Sequence, residues 1–203
     1  VIAFAEALPQ IRRAIAGHLR LRGLRREKVL AAVVHLLQTT FIRIGNEQYA
    51  RSNGSYGLTT LQDHHASIDG HTIRFNFTGK SGRQRSIDLR DPKLAAIVKQ
   101  CRDLPGQELF QYVDERGEVC DVGSGDVNEY LRQITGQDFT AKDFRTWAGT
   151  VLAYMALEEV GAARTATQAK RNLSGAVKVV AQALGNTPAV CRRSYIHPAI
   201  RGG

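Results

Sequence analysis

Apolar residues recur at helical spacing from about Glu27 to Ile44, where Leu30, Val33, Val34, Leu37, Phe41 and Ile44 share one face. A helix is predicted there, with Arg43 at its end just before Gly45. Residues 1–22, rich in Ala, Leu and Arg, predict another helix, interrupted near Pro9. After the turn residues Asn53-Gly54-Ser55-Tyr56-Gly57 the period changes from helical to alternating. Ile73, Phe75 and Phe77 alternate with Arg74 and Asn76, and Gly79-Lys80-Ser81-Gly82 breaks the run before Ile87 and Leu89 resume around Asp88. This pattern predicts a β-hairpin with Lys80 near its tip.

From Asp91 the pattern turns helical again, with an irregular glycine-bearing stretch over 104–125. Asp126 followed by Glu129 has the form of a capping box opening a helix to about Ile134. The stretch from about Thr140 to Gly161 is apolar on nearly every face and is expected to be the central buried helix. A further helix is predicted from about Ala163 to Leu184. Gly185-Asn186-Thr187-Pro188 then opens a short one that ends at Tyr195, with Pro188 suited to its first turn. The fold class expected is mainly α with a small β-hairpin or sheet.

Composition narrows the partner. The 203 residues carry 28 Lys and Arg against 19 Asp and Glu, a formal charge of +9, which favours a polyanion such as nucleic acid. Charge alone does not separate DNA, RNA and an anionic membrane. Cys101, Cys120 and Cys191 are odd in number and widely spaced, without the paired spacing of a zinc site, and read as reduced intracellular residues. No apolar run approaches the roughly 20 residues that span a bilayer, and nothing resembles a signal peptide, so a cytoplasmic protein with no membrane partner is expected. The chain begins at Val1 and its one methionine is Met155, which points to an excised domain.

Several short motifs fail on inspection. Gly79-Lys80-Ser81 has the end of a P-loop, but Arg74 stands where that motif needs its first glycine. Gly123-Ser124-Gly125 begins like a dinucleotide fingerprint, yet Asn128 replaces the third glycine and no clear strand precedes it. Asp63, His64, His65, Asp69 and His71 match no usual ligand spacing and read as polar loop residues before a hairpin. No cofactor and no metal is expected. Arg145, at the start of the most apolar helix, either meets an internal carboxylate or serves an anion, and its surroundings in sequence leave both open. Arg43, between Ile42 and Ile44, raises the same question. A tyrosine near a helix end most often packs a rim, but Leu184-Gly185-Asn186 followed by Tyr195 and His197-Pro198 forms an ordered string.

Four separated segments together resemble the catalytic domain of type IB DNA topoisomerases, in their compact bacterial and poxvirus-like branch. Thr40-Phe41-Ile42-Arg43-Ile44-Gly45, continued by Gly57-Leu58-Thr59-Thr60-Leu61, resembles the first arginine motif. Phe77-Thr78-Gly79-Lys80 resembles the hairpin carrying a catalytic lysine, and Lys142-Asp143-Phe144-Arg145-Thr146 the second arginine motif. Leu184-Gly185-Asn186 through Ser194-Tyr195 resembles the closing motif with the nucleophile. The resemblance spans residues 25 to 198. The order Arg, Lys, Arg, polar residue, Tyr is shared with tyrosine recombinases, which usually place histidine three residues before their second arginine, where this chain has Lys142. A recombinase, or a noncatalytic DNA-binding domain of the same fold, stays open as an alternative.

The resemblance implies the DNA breaking-rejoining fold, a single catalytic domain over residues 1–203, and a preceding β-rich clamp domain that family members carry and this chain lacks. It implies a monomer acting on duplex DNA in the bacterial nucleoid. Tyr195 would attack a backbone phosphate to give a 3′-phosphotyrosyl ester, Arg43 and Arg145 would hold the nonbridging oxygens, Lys80 would protonate the leaving 5′ oxygen, and Asn186 would donate a hydrogen bond. Asn186 stands where many relatives have histidine, and it cannot be a general acid. Asn46-Glu47-Gln48-Tyr49 replaces a lysine-bearing stretch of the poxvirus relatives, so their sequence preference does not carry over. Candidate DNA contacts are Tyr49, Arg51, Arg83, Arg85, Lys142, Arg192 and Arg193.

Overall fold

Val29 through Val34, with Leu36 and Leu37, are all fully buried on a single helix, and the rest of their unit assembles around that helix. The structure, a computed structural model, describes residues 1–201. Its order is α1 (Ile2–His18), α2 (Arg26–Thr40), α3 (Glu47–Asn53), β1 (Ala66–Asp69), β2 (Thr72–Gly79), β3 (Arg83–Arg90), α4 (Pro92–Arg102), β4 (Gln111–Val113), β5 (Val119–Asp121), α5 (Ser124–Thr135), α6 (Ala141–Val160), α7 (Ala166–Leu184), α8 (Pro188–Ser194) and α9 (Pro198–Arg201). The mainly helical architecture with small antiparallel sheets is the class the sequence predicts. The chain divides into two compact units, one of Ala7–Ala141 and one of Val1–Glu6 with Lys142–Gly203.

In the larger unit, α2 touches α4, α5, β4 and the single turn Leu58–Thr60. Burying each of its large aliphatic side chains contributes about 1.5–3 kcal/mol. The three strands form an antiparallel sheet in the order β1-β2-β3. Ile73, Phe75 and Phe77 of β2 are its buried face, opposite Leu89, Ile87 and Arg85 of β3. Asp91 caps α4 by accepting from the amides of Lys93 and Leu94 at 2.9 and 3.0 Å, with Pro92 in the first turn. In the smaller unit, Phe4 meets Phe144 edge-on at 4.8 Å, and α7 packs against α8. Thr165 and Thr187 cap α7 and α8, and Gly185 ends α7 in the left-handed region.

Five local expectations are corrected. Helix α1 runs unbroken through Pro9, which stands on its exposed side, while Phe4, Leu8, Ile11 and Ile15 hold the buried stripe on both sides of it. Helix α2 stops at Thr40. Phe41 turns left-handed (φ 55), which sends Ile42 rather than Ile44 into the core and leaves Arg43 on the extended segment beyond. Helix α5 opens at Gly123, so Asp126 is its third helical residue; its carboxylate accepts from the Gly123 amide at 2.9 Å and pairs with Arg26 at 2.9 Å. Helix α6 is buried mainly in its first part, since Tyr154 and Met155 are 52% and 60% exposed, whereas α2 buries an unbroken run from Val29 to Val34 with Leu36 and Leu37. The stretch called irregular over 104–125 contains the β4–β5 hairpin, whose strands of three residues are too short to show alternation.

Candidate active site

The catalytic candidates fall three in the smaller unit, Arg145, Asn186 and Tyr195, and two in the larger, Arg43 and Lys80. In the smaller unit, Thr187 and Pro188 fix the start of α8, whose seven residues carry the chain to Tyr195 at its C-cap. The Tyr195 amide closes the helix by donating to the Cys191 carbonyl at 3.0 Å. Helix α6 passes directly beneath. A Cβ on Gly149 would lie 2.5 Å from the Tyr195 carbonyl oxygen, so only glycine admits this approach of the end of α8 to α6. At the next residue, the Thr150 hydroxyl oxygen accepts from the His197 amide at 3.1 Å. Helix α6 therefore holds the backbone around Tyr195 by a close contact and a hydrogen bond.

Arg145 is 4% exposed. Its Nη2 donates to the Leu184 carbonyl at 2.9 Å, and its guanidinium carbon lies 5.0 Å from the centre of the Tyr195 ring. That carbonyl is the last of α7, a group that a helix terminus leaves in need of a donor. Gly185 (φ 61) then turns the chain so that Asn186, 7% exposed, follows beside it, its amide donating to the Ala181 carbonyl at 2.9 Å. A cation over the face of a tyrosine is attracted to the neutral ring and still more to a phenolate. The structure thus brings Arg145, the Leu184-Gly185-Asn186 turn and Tyr195 together within one unit.

In the larger unit, Arg43 is held by its backbone. The Leu58 amide donates to the Arg43 carbonyl at 2.8 Å, and the Thr59 amide and hydroxyl both donate to the Ile44 carbonyl at 2.6 and 2.8 Å. Gly57 lies so close that a Cβ there would fall 2.6 Å from the Arg43 carbonyl oxygen. The same segment is tied to the hairpin, because the Tyr56 amide donates to the Thr78 carbonyl at 2.8 Å, two residues before Lys80. Residues 56–60 are therefore a strap joining the backbone of Arg43 to the base of the Lys80 hairpin. Lys80 itself is exposed in the turn between β2 and β3, where Ser81 and Gly82 both take positive φ. Beneath the strap, the Tyr56 ring lies 4.4 Å from that of His65, which is buried; desolvation, with the neighbouring His64 charge, pushes the His65 pKa down to about 4. His65 is a packing residue whose Nδ1 accepts from the Gln62 amide at 3.0 Å. Among the described residues no group of three His, Cys, Asp or Glu is arranged to hold a metal ion.

The other candidates are surface residues with one exception. Tyr49 (55% exposed) and Arg51 stand on α3, where Arg51 makes a loose pair with Glu47 at 3.8 Å. Arg83 and Lys142 are exposed, as are Arg192 and Arg193 on α8 immediately before the nucleophile candidate. Arg85 is half-buried on β3. Sequence reasoning did not find Gly149, though an isolated glycine inside an apolar helix is the signal for a close approach. It found the Gly57-Leu58-Thr59-Thr60 segment as a motif but not its role as a strap, since that role rests on hydrogen bonds to residues 15 and 22 positions away.

Similarity to known proteins extends over nearly the whole chain. The sequence pattern of a family described as eukaryotic DNA topoisomerase I, catalytic core, matches residues 1–200. DNA topoisomerase 1B of Acanthamoeba polyphaga mimivirus is 31% identical over 200 residues, covering 95% of this chain and 60% of that protein. DNA topoisomerase 1B of vaccinia virus (strain Copenhagen) is 26% identical over 174 residues, covering 83% of this chain and 52% of the viral protein. The chain thus spans little more than half the length of these relatives. Among solved structures, a XerH site-specific recombinase bound to a palindromic difH substrate, in a post-cleavage complex, superposes with a TM-score of 0.57 at 13% identity over 95% of this chain and 48% of that chain. That likeness is one of fold, the breaking-rejoining architecture expected from the motifs, whereas the sequence relationship runs to the topoisomerases. The chain belongs to the type IB DNA topoisomerase family, in its poxvirus-like branch, and matches the catalytic core of that family.

Proposed function

We propose that this chain cleaves one strand of duplex DNA through Tyr195, holds the break as a 3′-phosphotyrosyl ester and reseals it, relaxing supercoils without ATP. The observation that carries the reading is the arrangement of Tyr195 under the Arg145 guanidinium and beside the Leu184-Gly185-Asn186 turn. The family match supports it.

The chemistry follows from those residue types. As the phenolic oxygen forms its bond to phosphorus, negative charge grows on the nonbridging oxygens and must meet fixed donors. Arg145 and Arg43 supply permanent cations that fork onto two oxygens, and Asn186 adds a neutral donor. The phenol gives its proton to solvent water as its oxygen bonds to phosphorus. The bond from phosphorus to the 5′ oxygen breaks, and Lys80 gives that oxygen a proton, leaving a free 5′ hydroxyl. Because one ester replaces another, the hydroxyl can attack the phosphotyrosine and restore the strand with no external energy. Rotation of the duplex between the two steps changes the linking number.

The same proposal takes the chain to act as a monomer on nucleoid DNA in the bacterial cytoplasm. The test is covalent trapping on a nicked suicide duplex, with plasmid relaxation beside it. Wild-type protein is expected to give a protein–DNA adduct and a ladder of linking numbers with no exchanged products, and Tyr195→Phe to give neither. Relaxation retained by Tyr195→Phe would refute the reading, and exchanged products would favour a recombinase.

A further inference from the structure

On the inward face of the sheet, β2 and β3 meet in three successive pairs, Ile73 with Leu89, Phe75 with Ile87 and Phe77 with Arg85. Two of these pairs are wholly apolar. The third, next to the hairpin tip, sets an arginine where the alternation calls for another aliphatic residue, and that arginine is half-buried. Its side chain makes no hydrogen bond and no ion pair among the described residues. The nearest resolved influence on its charge is unfavourable: burial, and after it the positive charge of Arg43, lower its pKa from the usual arginine value. A desolvated cation beside a second cation is costly to the fold, and residues of this kind usually exist to meet an anion.

Gly79 supports the same reading. Its backbone is ordinary extended chain (φ −89, ψ −173), open to any residue, so nothing in its conformation calls for glycine. What a side chain would meet is Arg85, whose Cγ lies 3.3 Å from where a Cβ at position 79 would stand. The missing side chain leaves a slot along which the arginine stem lies. That slot lies between Lys80 and Thr78, whose carbonyl accepts from the Tyr56 amide of the strap that holds Arg43.

We propose that Arg85 is a further phosphate-binding residue of the DNA surface that carries Arg43 and Lys80, its guanidinium gripping a backbone phosphate of the strand held there, with Gly79 providing the space for its stem. This rests on the proposed action on duplex DNA and gives one of its candidate surface contacts a specific role. A purely structural arginine would stabilise the fold. One kept for DNA destabilises the free protein and acts only when a phosphate arrives.

The experiment uses the whole chain with Arg85→Leu and Arg85→Lys, reading thermal unfolding, duplex-DNA affinity against salt, and the rate of Tyr195 adduct formation on a suicide duplex. Arg85→Leu completes the apolar face and is expected to raise the melting temperature. It should also flatten the slope of log K against log salt by about 0.9, the value of one phosphate contact, and slow adduct formation at least tenfold. Arg85→Lys keeps a point charge and should recover most of the slope but only part of the rate. A wild-type salt slope in Arg85→Leu would overturn the proposal, as would a lower melting temperature with losses in proportion to unfolding. DNA binding by wild-type protein without any Tyr195 adduct would instead refute the topoisomerase reading, and the salt slope would still decide Arg85.

Discussion

Gly149→Ala separates helix propensity from the geometry of the nucleophile. In an exposed helix interior, alanine is favoured over glycine by about 0.8–1 kcal/mol. At Gly149 the added Cβ would stand 2.5 Å from the Tyr195 carbonyl oxygen and 3.2 Å from the Tyr195 Cβ, where ordinary contact begins at 3.4 Å. The Tyr195 backbone must therefore withdraw by nearly 1 Å. Overpacking of this kind costs about 1–3 kcal/mol, which outweighs the propensity gain and leaves a net loss of up to about 2 kcal/mol. The functional loss should be larger than the fold's, because a misplacement of about 1 Å in a reacting group costs roughly a hundredfold in rate. Gly175→Ala on α7 is the matched control, since nothing lies within 4 Å of a Cβ there. It should gain the propensity term, raising the melting temperature by about 2–4 °C per kcal/mol, and leave adduct formation unchanged. The assay is thermal unfolding with single-turnover adduct formation on a suicide duplex for both variants. If Gly149→Ala proves as stable and as fast as Gly175→Ala, the close approach does not position Tyr195 and the reasoning fails.

Gly57→Ala should slow adduct formation by about a hundredfold by pushing the Arg43 backbone away from the strap, measured in the same single-turnover assay; an unchanged rate would show that Arg43 is not held there. Arg145→Lys loses the Nη2 bond to the Leu184 carbonyl and the planar guanidinium over Tyr195. Cleavage is expected to fall by about 10²–10³ with the fold intact by circular dichroism. His65 has its pKa lowered to about 4 from an ordinary value near 6.5, so the unfolded chain binds a proton in that window and the folded one does not. Stability should therefore be full above about pH 6.5 and decline as the pH falls toward 4. Chemical denaturation across that range should show the slope, and His65→Leu should flatten it.

The hairpin and the closing helix were legible because their signals are local. Strict alternation ending in Gly79 predicts a strand and a tip at Lys80, and Thr187-Pro188 predicts the helix start that delivers Tyr195. Strand β1 and the β4–β5 hairpin were not legible, since three or four residues cannot establish a period. Helix α6 reads as the buried centre because its composition is apolar. Composition does not say which of its faces meets a partner, and that role fell to α2.

The sequence by itself determined the order of chemical groups, Arg43, Lys80, Arg145, Asn186 and Tyr195, and through them the family. Residue type fixes what each group can do to a phosphate, whatever the fold. Only the tertiary structure decided what each group touches. The Nη2 of Arg145 serves the carbonyl of Leu184, 39 residues away, while its guanidinium lies over the Tyr195 ring. Gly149 could have been a weak point in a helix, and it is the gap that lets Tyr195 approach. Contacts of this range leave no periodic trace along a chain, because they depend on which distant surfaces pack together.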